Sequence, residues 1–241
     1  TTGRLLVNSE DGGFSTNPII KGNTFERIDI SSELFVFSFN YYPCTLLFES
    51  NTFNSVSTKF GGFGGKITLT STESNIAPEL TFESCLFIEN KQTTQGGAFC
   101  SHKNHNDKNI ILNFISCTFK DNKAIGNGGA LYIDCSHTIT IESCDFIANK
   151  AGDGQGAAIF IDSDSDEMEN SHSAIIKKCT FKDHSNYEAD KKDGYSIRSR
   201  SYSLEITDSV IEFGNTDTSI SGLLTESSTN SLIIQRCKFI K

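Results

Sequence analysis

The chain has 241 residues, a formal net charge of −9 and no tryptophan. The acidic balance argues against nucleic acid as a partner, and no stretch reaches the roughly 18 apolar residues of a transmembrane segment. Helix formers are sparse and β-branched residues abundant, which favours many short strands joined by polar turns. We therefore expect one all-β domain over residues 1–241. Because it starts at Thr1, we expect a processed chain or part of a longer one.

One six-residue pattern recurs along the whole chain: an apolar residue, two variable residues, Cys, Asn or Ser, one variable residue, then Phe or Ile. The eight copies span 20–25, 48–53, 82–87, 114–119, 141–146, 176–181, 206–211 and 234–239. Apolar residues alternate before each copy, as at Leu80 and Phe82, which indicates a strand with one face inward. A single coil of about 30 residues cannot bury its own apolar face, but stacked coils can. The repeat therefore predicts a parallel β-helix, a solenoid of about eight coils.

A glycine-rich pattern lies between successive copies. It reads Gly-Gly-Ala-Phe at 96–99, Gly-Gly-Ala-Leu at 128–131 and Gly-Ala-Ala-Ile at 156–159, with weaker versions at 64–67, 194–197 and 221–224. Glycine tolerates positive φ and close backbone approach, so we expect a sharp bend there. In the middle coils an Asn follows the repeat Phe by three residues, at Asn90, Asn122 and Asn149.

Stacking the copies predicts two ladders of equivalent side chains in the core. The ladder residues are Phe87, Phe119, Phe146, Phe181 and Phe239, and Cys85, Cys117, Cys144, Cys179 and Cys237. Since Asn or Ser takes the cysteine position in other copies, we expect a buried row of small free thiols that can hydrogen-bond their neighbours. Disulfides between in-register neighbours are geometrically awkward, and a row is not the tetrahedron that zinc prefers. Outside the ladder, a bridge between Cys100 and Cys135 is an open alternative.

The candidate contact loops are two surface segments, residues 162–172 and 185–193. Their charged residues, with those of a neighbouring strand, are Asp162, Asp164, Asp166, Glu167, Asp190, Lys191, Lys192, Arg198 and Arg200. The acidic stretch lacks the Gly and Glu of a calcium-binding EF-hand loop, so we interpret it as a solvated loop. The segment with His102, His105 and Asp107 is interpreted in the same way. No catalytic residue, cofactor site or metal site is predicted.

Arg198 and Arg200 are two residues apart and should share one face of a strand, the outer one. A pair of guanidinium groups could grip a carboxylate. The simpler expectation is an ordinary solvated strand face.

The Gly-Gly-Ala-apolar and Phe-x-x-Asn elements, one of each per coil, resemble the repeat of the polymorphic membrane proteins of chlamydiae. The resemblance is strong over about residues 80–165, while Val56, His184 and Gly214 stand where Asn would be. It implies a right-handed parallel β-helix of the broad pectin-lyase-like class, displayed at a cell surface and used for adhesion.

We therefore expect a non-enzymatic extracellular or cell-surface module whose partner is a protein or glycan surface. One alternative is a carbohydrate-active β-helix enzyme, which needs converging outer carboxylates and an Arg; we expect no two coils to place Asp equivalently beside an Arg. The other is a filament or scaffold subunit, in which the open coil end meets another subunit or the continuation of its own chain.

Overall fold

All strand pairs among the described residues of the computed structural model are parallel, and no helix occurs there. The structure describes residues 5–9, 18–29, 35–39, 45–58, 65–69, 79–92, 94–101, 110–134, 138–152, 155–162, 173–186, 194–200, 203–212, 220–225 and 231–240. The strands stack by their repeat positions, so that Phe87 pairs with Phe53 on one side and Phe119 on the other. The predicted all-β class and parallel solenoid are confirmed.

The strands form four faces, which we number in the order in which the chain passes through one turn. Face 1 contains Ile19–Lys21, Thr45–Glu49, Glu79–Glu83, Ile111–Ile115, Thr138–Glu142, Ser173–Lys177, Ser203–Thr207 and Leu232–Gln235. Face 2 contains Thr24–Glu26, Thr52–Asn54, Leu86–Ile88, Thr118–Lys120, Asp145–Ile147, Thr180–Lys182, Val210–Glu212 and Lys238–Ile240.

The other two faces are shorter. Face 3 contains Ser57–Thr58, Lys91–Gln92, Lys123–Ala124, Lys150–Ala151 and Ser185–Asn186. Face 4 contains Phe99–Ser101, Leu131–Asp134, Ile159–Asp162, Gly194–Ser199 and Ile220–Thr225. A separate three-stranded sheet of Leu5–Ser9, Phe35–Phe39 and Gly65–Leu69 precedes face 4, and its last strand contacts Phe99–Ser101.

The predicted number of coils is slightly too high. Eight strands stack in each of faces 1 and 2, which is what the eight sequence copies count. Only five turns in the described part of the chain have strands on faces 1, 2 and 3 together, because face 3 has five strands. The sequence pattern covers the corner between faces 1 and 2, and it therefore cannot report whether the remaining two sides of a turn are formed.

The corners explain why the ladder position accepts Cys, Asn or Ser. The residue before it is left-handed in each turn, for example Ser116 at φ 53° and Ser143 at φ 56°. The next residue is the ladder position. There the Cys117 backbone N–H donates to Cys144 Sγ at 3.4 Å, and the Cys144 thiol donates to the carbonyl of Phe114 at 3.4 Å. The side chain must therefore both accept from and donate to the preceding turn, which Cys, Asn and Ser all can do.

The five ladder cysteines are free thiols in the described structure. Cys85, Cys117, Cys144 and Cys179 are buried, and Cys237 in the last turn is partly exposed. Cys100 has Tyr132 as its register partner in the next turn, and the alternative of a bridge to Cys135 stays a prediction. Cys135 itself lies outside the described residues. The hydrogen bond to the Cys117 thiol and burial together raise the pKa of Cys85.

The phenylalanine ladder forms nearly parallel stacks through the core. The rings of Phe87 and Phe119 are 4.8 Å apart at 5°, and those of Phe119 and Phe146 are 4.7 Å apart at 7°. Phe181 continues the stack, whereas Phe239 is 48 % exposed at the end of the described solenoid. Offset stacking adds to the apolar burial that holds successive turns together.

The second glycine of the Gly-Gly-Ala pattern lies against the backbone of the neighbouring turn. A Cβ on Gly129 would lie 2.1 Å from the carbonyl oxygen of Ala157 and 2.7 Å from the amide nitrogen of Lys150. The first glycine is the one with positive φ, 67° at Gly128. The predicted sharp bend is confirmed, and close approach of face 3 to the bend explains the second glycine.

Candidate functional site

The structure brings three of the predicted contact residues together on the outer surface of face 4. Phe160 pairs in register with Arg198, and the Arg200 backbone N–H donates to Ile161 O at 2.9 Å. Because Ile161 and its neighbours in register point into the core, Phe160 and Arg198 lie on the outer side, as the sequence predicted for the arginines.

Two guanidinium groups converge on one aromatic ring. The Cζ atoms of Arg198 and Arg200 lie 5.5 and 5.6 Å from the centroid of the Phe160 ring, within the range of a cation–π interaction. Asp162 Oδ2 lies 3.6 Å from Arg200 Nη1. Asp162 thus supplies a carboxylate within the cluster itself. The two arginines and this aspartate together carry a net charge of about +1.

The environment of Arg198 differs from the solvated strand face that we expected. Arg198 is only 4 % exposed, while the Arg200 side chain remains 41 % exposed. Burial against an aromatic ring fixes the first guanidinium and leaves the second one accessible. The cluster can therefore bind an anionic group through Arg200 on a preformed base of Phe160 and Arg198.

The sequence analysis did not predict a column of apolar side chains that lies outside the main core. Cys100, Tyr132 and Phe160 follow one another in register on the outer side of face 4 and form a second buried cluster. The Tyr132 and Phe160 rings stack at 5.4 Å and 5°. The available signal was a large apolar residue between the inward positions of each strand, as Phe160 lies between Ile159 and Ile161.

Face 4 also places two aspartates at equivalent positions, which corrects the sequence expectation. Asp134 pairs in register with Asp162 in the adjacent turn, and Arg200 forms the ion pair with Asp162. The expectation that no two coils align Asp beside an Arg is therefore wrong. Loop lengths differ between these turns, and the register could not be read from the intervals alone.

The remaining predicted contact residues cannot be placed. Asp164, Asp166, Glu167, Asp190, Lys191 and Lys192 lie outside the described residues, as do His102, His105 and Asp107. Among the residues that are described, no three His, Cys, Asp or Glu side chains come together as a possible metal-ion site.

His184 takes over the place of the ladder asparagines. Its Nδ1 accepts a hydrogen bond from the Asn149 backbone N–H at 3.2 Å, the bond that Asn149 Oδ1 provides to Asn122 one turn earlier. Its Nε2 is buried without a hydrogen-bond partner in the described structure. Burial lowers the pKa of His184 to about 3, so the ring stays neutral at physiological pH.

None of the described residues forms a helix long and apolar enough to cross a membrane. No curated protein and no solved structure matches the chain. Residues 116–134 match the family model described as Chlamydia polymorphic membrane protein (Chlamydia_PMP) repeat. The matched segment runs from the corner at Ser116 through Asn122 and the Gly128–Gly129 bend to Asp134, the end of a face 4 strand, which is most of one turn. The chain thus contains a repeat of the Chlamydia polymorphic membrane protein type, built into a parallel β-solenoid, as its resemblance to that family predicted.

Proposed function

We propose that this chain is a non-enzymatic β-helix module that acts in adhesion at a cell surface. The repeat match supports the location, because the matching family is described as one of membrane proteins with this repeat. The observation that carries the contact role is the cluster of Arg198 and Arg200 around Phe160 on an outer face. A fixed aromatic base beside an accessible guanidinium suits recognition of an anionic group on a protein or glycan.

Adherence of protein-coated beads to cultured cells, together with a glycan panel, tests this role. Replacing Arg200 by Gln (R200Q) should reduce adherence about fivefold or more, since it removes the accessible guanidinium. The matched control is R236Q, which removes an arginine that is likewise paired with an aspartate, Asp208, at 2.6 Å at the corner between faces 1 and 2. Equal loss from both variants, or no adherence by the unmodified protein, would contradict the proposal.

A second candidate function, a polysaccharide-cleaving enzyme, is favoured by one observation. Asp134 and Asp162 occupy equivalent positions in adjacent turns, with Arg200 beside Asp162. Two carboxylates and an arginine are the groups that acid–base cleavage of an acidic polysaccharide would use.

Incubation with polygalacturonan and the same glycan panel separates the two functions. Cleavage products that disappear in D162N, but persist in D208N, would overturn the non-enzymatic proposal in favour of an enzyme. Binding without products would support adhesion. Asp208 is a suitable control because it also forms an ion pair with an arginine, Arg236, at the corner between faces 1 and 2, away from this cluster.

A further inference from the structure

Face 3 has a continuous row of lysines on its outer side. Lys91 pairs in register with Lys123, and Lys123 pairs with Lys150, so the three follow one another on adjacent turns. Ser57 and Ser185 extend the row at its two ends, and none of its five residues is acidic. With strands about 4.8 Å apart, the three lysines span roughly 10 Å along the solenoid axis. We call Lys91, Lys123 and Lys150 the lysine row.

The lysine row places like charges in register on successive turns. Like charges directly opposite one another on neighbouring strands are destabilising. Some described turns instead place opposite charges together, as in Lys177 with Glu142 at 2.9 Å and Arg236 with Asp208 at 2.6 Å. In the described part of the chain, no carboxylate lies within ion-pair distance of Lys91 or Lys150, whereas Lys123 between them has an interaction partner of its own. A ligand that carries several negative charges would therefore pair first with Lys91 and Lys150.

The backbone beneath the row is held rigidly. The inner neighbours Gln92, Ala124 and Ala151 are buried, and the glycine bend packs directly on the row's backbone. A Cβ on Gly97 would lie 2.6 Å from the amide nitrogen of Lys123. The spacing of the three lysine backbones is therefore set by the fold, so binding a ligand requires ordering of the side chains only.

We infer that the lysine row binds a linear sulfated polysaccharide along the solenoid axis. A row of lysines without arginine offers point charges, which suit sulfate esters better than the planar carboxylates that arginine binds through two hydrogen bonds. Ile125, which is 52 % exposed and two residues beyond Lys123, offers an apolar contact for a sugar ring. The net charge of −9 argues against DNA, for which a broad basic surface is expected.

This inference names a partner class for the proposed adhesion role and rests on that role for its biological meaning. Its test is direct binding of size-fractionated heparin to the purified chain, measured by calorimetry over a range of salt concentrations. The row variant combines K91Q, K123Q and K150Q. The control combines K120Q, K182Q and K238Q on face 2, where Lys120 and Lys182 are separated in register by Ile147. Each removes three positive charges, so both change the net charge from −9 to −12.

The row variant should lose about tenfold or more in heparin affinity and most of its salt dependence, while the control stays within about twofold of the unmodified protein. Equal loss in both variants, no heparin binding by the unmodified chain, or tighter binding of polygalacturonan or duplex DNA would each overturn the inference. The result is separable from the bead assay. Adherence without heparin binding overturns only the inference about the lysine row. Heparin binding without adherence overturns only the proposed adhesion role.

Discussion

Asn122 donates from its side-chain nitrogen to the carbonyl oxygen of Phe87, in the preceding turn, at 2.9 Å. Its side-chain oxygen accepts from the backbone N–H of Asn90 at 3.1 Å. One fully buried amide therefore pairs two backbone groups that the left-handed corner removes from the regular ladder.

Replacing Asn122 by Ala should lower the free energy of unfolding by about 3 kcal/mol, because both backbone groups would stay buried without partners. Urea denaturation followed by circular dichroism measures the change. The control is Asn54→Ala, a partly exposed asparagine on the outer side of face 2, which should change stability by less than about 0.5 kcal/mol. Similar losses in the two variants would show that the ladder hydrogen bonds do not determine stability.

The glycine bend gives a second stability prediction. Gly129→Ala should destabilise the chain by about 3 kcal/mol or more, because the new Cβ meets the backbone of Ala157 and Lys150, which cannot move aside like a side chain. Gly22→Ala is the control: its φ of 68° strains an alanine, but no atom lies within 4 Å of the added Cβ. Thermal melting compares the two. A smaller loss for Gly129→Ala than for Gly22→Ala would mean that backbone crowding is not the reason for the second glycine.

The sequence predicted the features that repeat in every turn and missed those that depend on register between turns. The Cys and Phe positions recur at one point of the motif, so their burial followed from stacking alone. The Asp134–Asp162 pair was missed because it is not part of the motif, and its alignment depends on how the intervening loops are accommodated. The lysine row was also missed, because Lys91, Lys123 and Lys150 become neighbours only when the strands of face 3 are aligned.

His184 should make stability depend on pH. Its pKa is about 3 in the folded chain and about 6.5 when unfolded, so between these values the unfolded state binds the proton and the folded state does not. The contribution of neutral His184 to the free energy of unfolding is complete above pH 6.5 and is lost as the pH falls towards 3. We expect a loss of about 2 kcal/mol from pH 7 to pH 5 from this residue.

The variant H184N isolates that contribution. Asparagine can accept from the Asn149 backbone N–H as Asn149 does for Asn122, and it does not titrate. Unfolding of both proteins by urea at pH 7 and pH 5 gives the difference. The unmodified chain should lose about 2 kcal/mol more than H184N over this interval. Parallel loss in both proteins would show that other groups, such as the carboxylates, account for all of the acid sensitivity.

The cysteine ladder predicts a graded reactivity toward iodoacetamide. Cys144 is fully buried, and the hydrogen bonds of its thiol to Cys117 and Cys179, together with burial, raise its pKa. Cys237 has the same repeat position but lies in the last described turn, where it is partly exposed. Since the thiolate is the reactive form and must be reached by the reagent, Cys237 should react on the order of 100-fold faster than Cys144 in the native protein.

Peptide mapping by mass spectrometry reads each cysteine separately, and labelling in denaturant provides the control in which both should react at the same rate. Equal native rates would mean that the turns open as readily around Cys144 as at the end of the described solenoid. The ladder would then not hold the central turns more firmly than the last one. A slow, uniform reaction at Cys85, Cys117, Cys144 and Cys179 would instead show that the four central turns open together, as expected when each turn is stabilised by its neighbours.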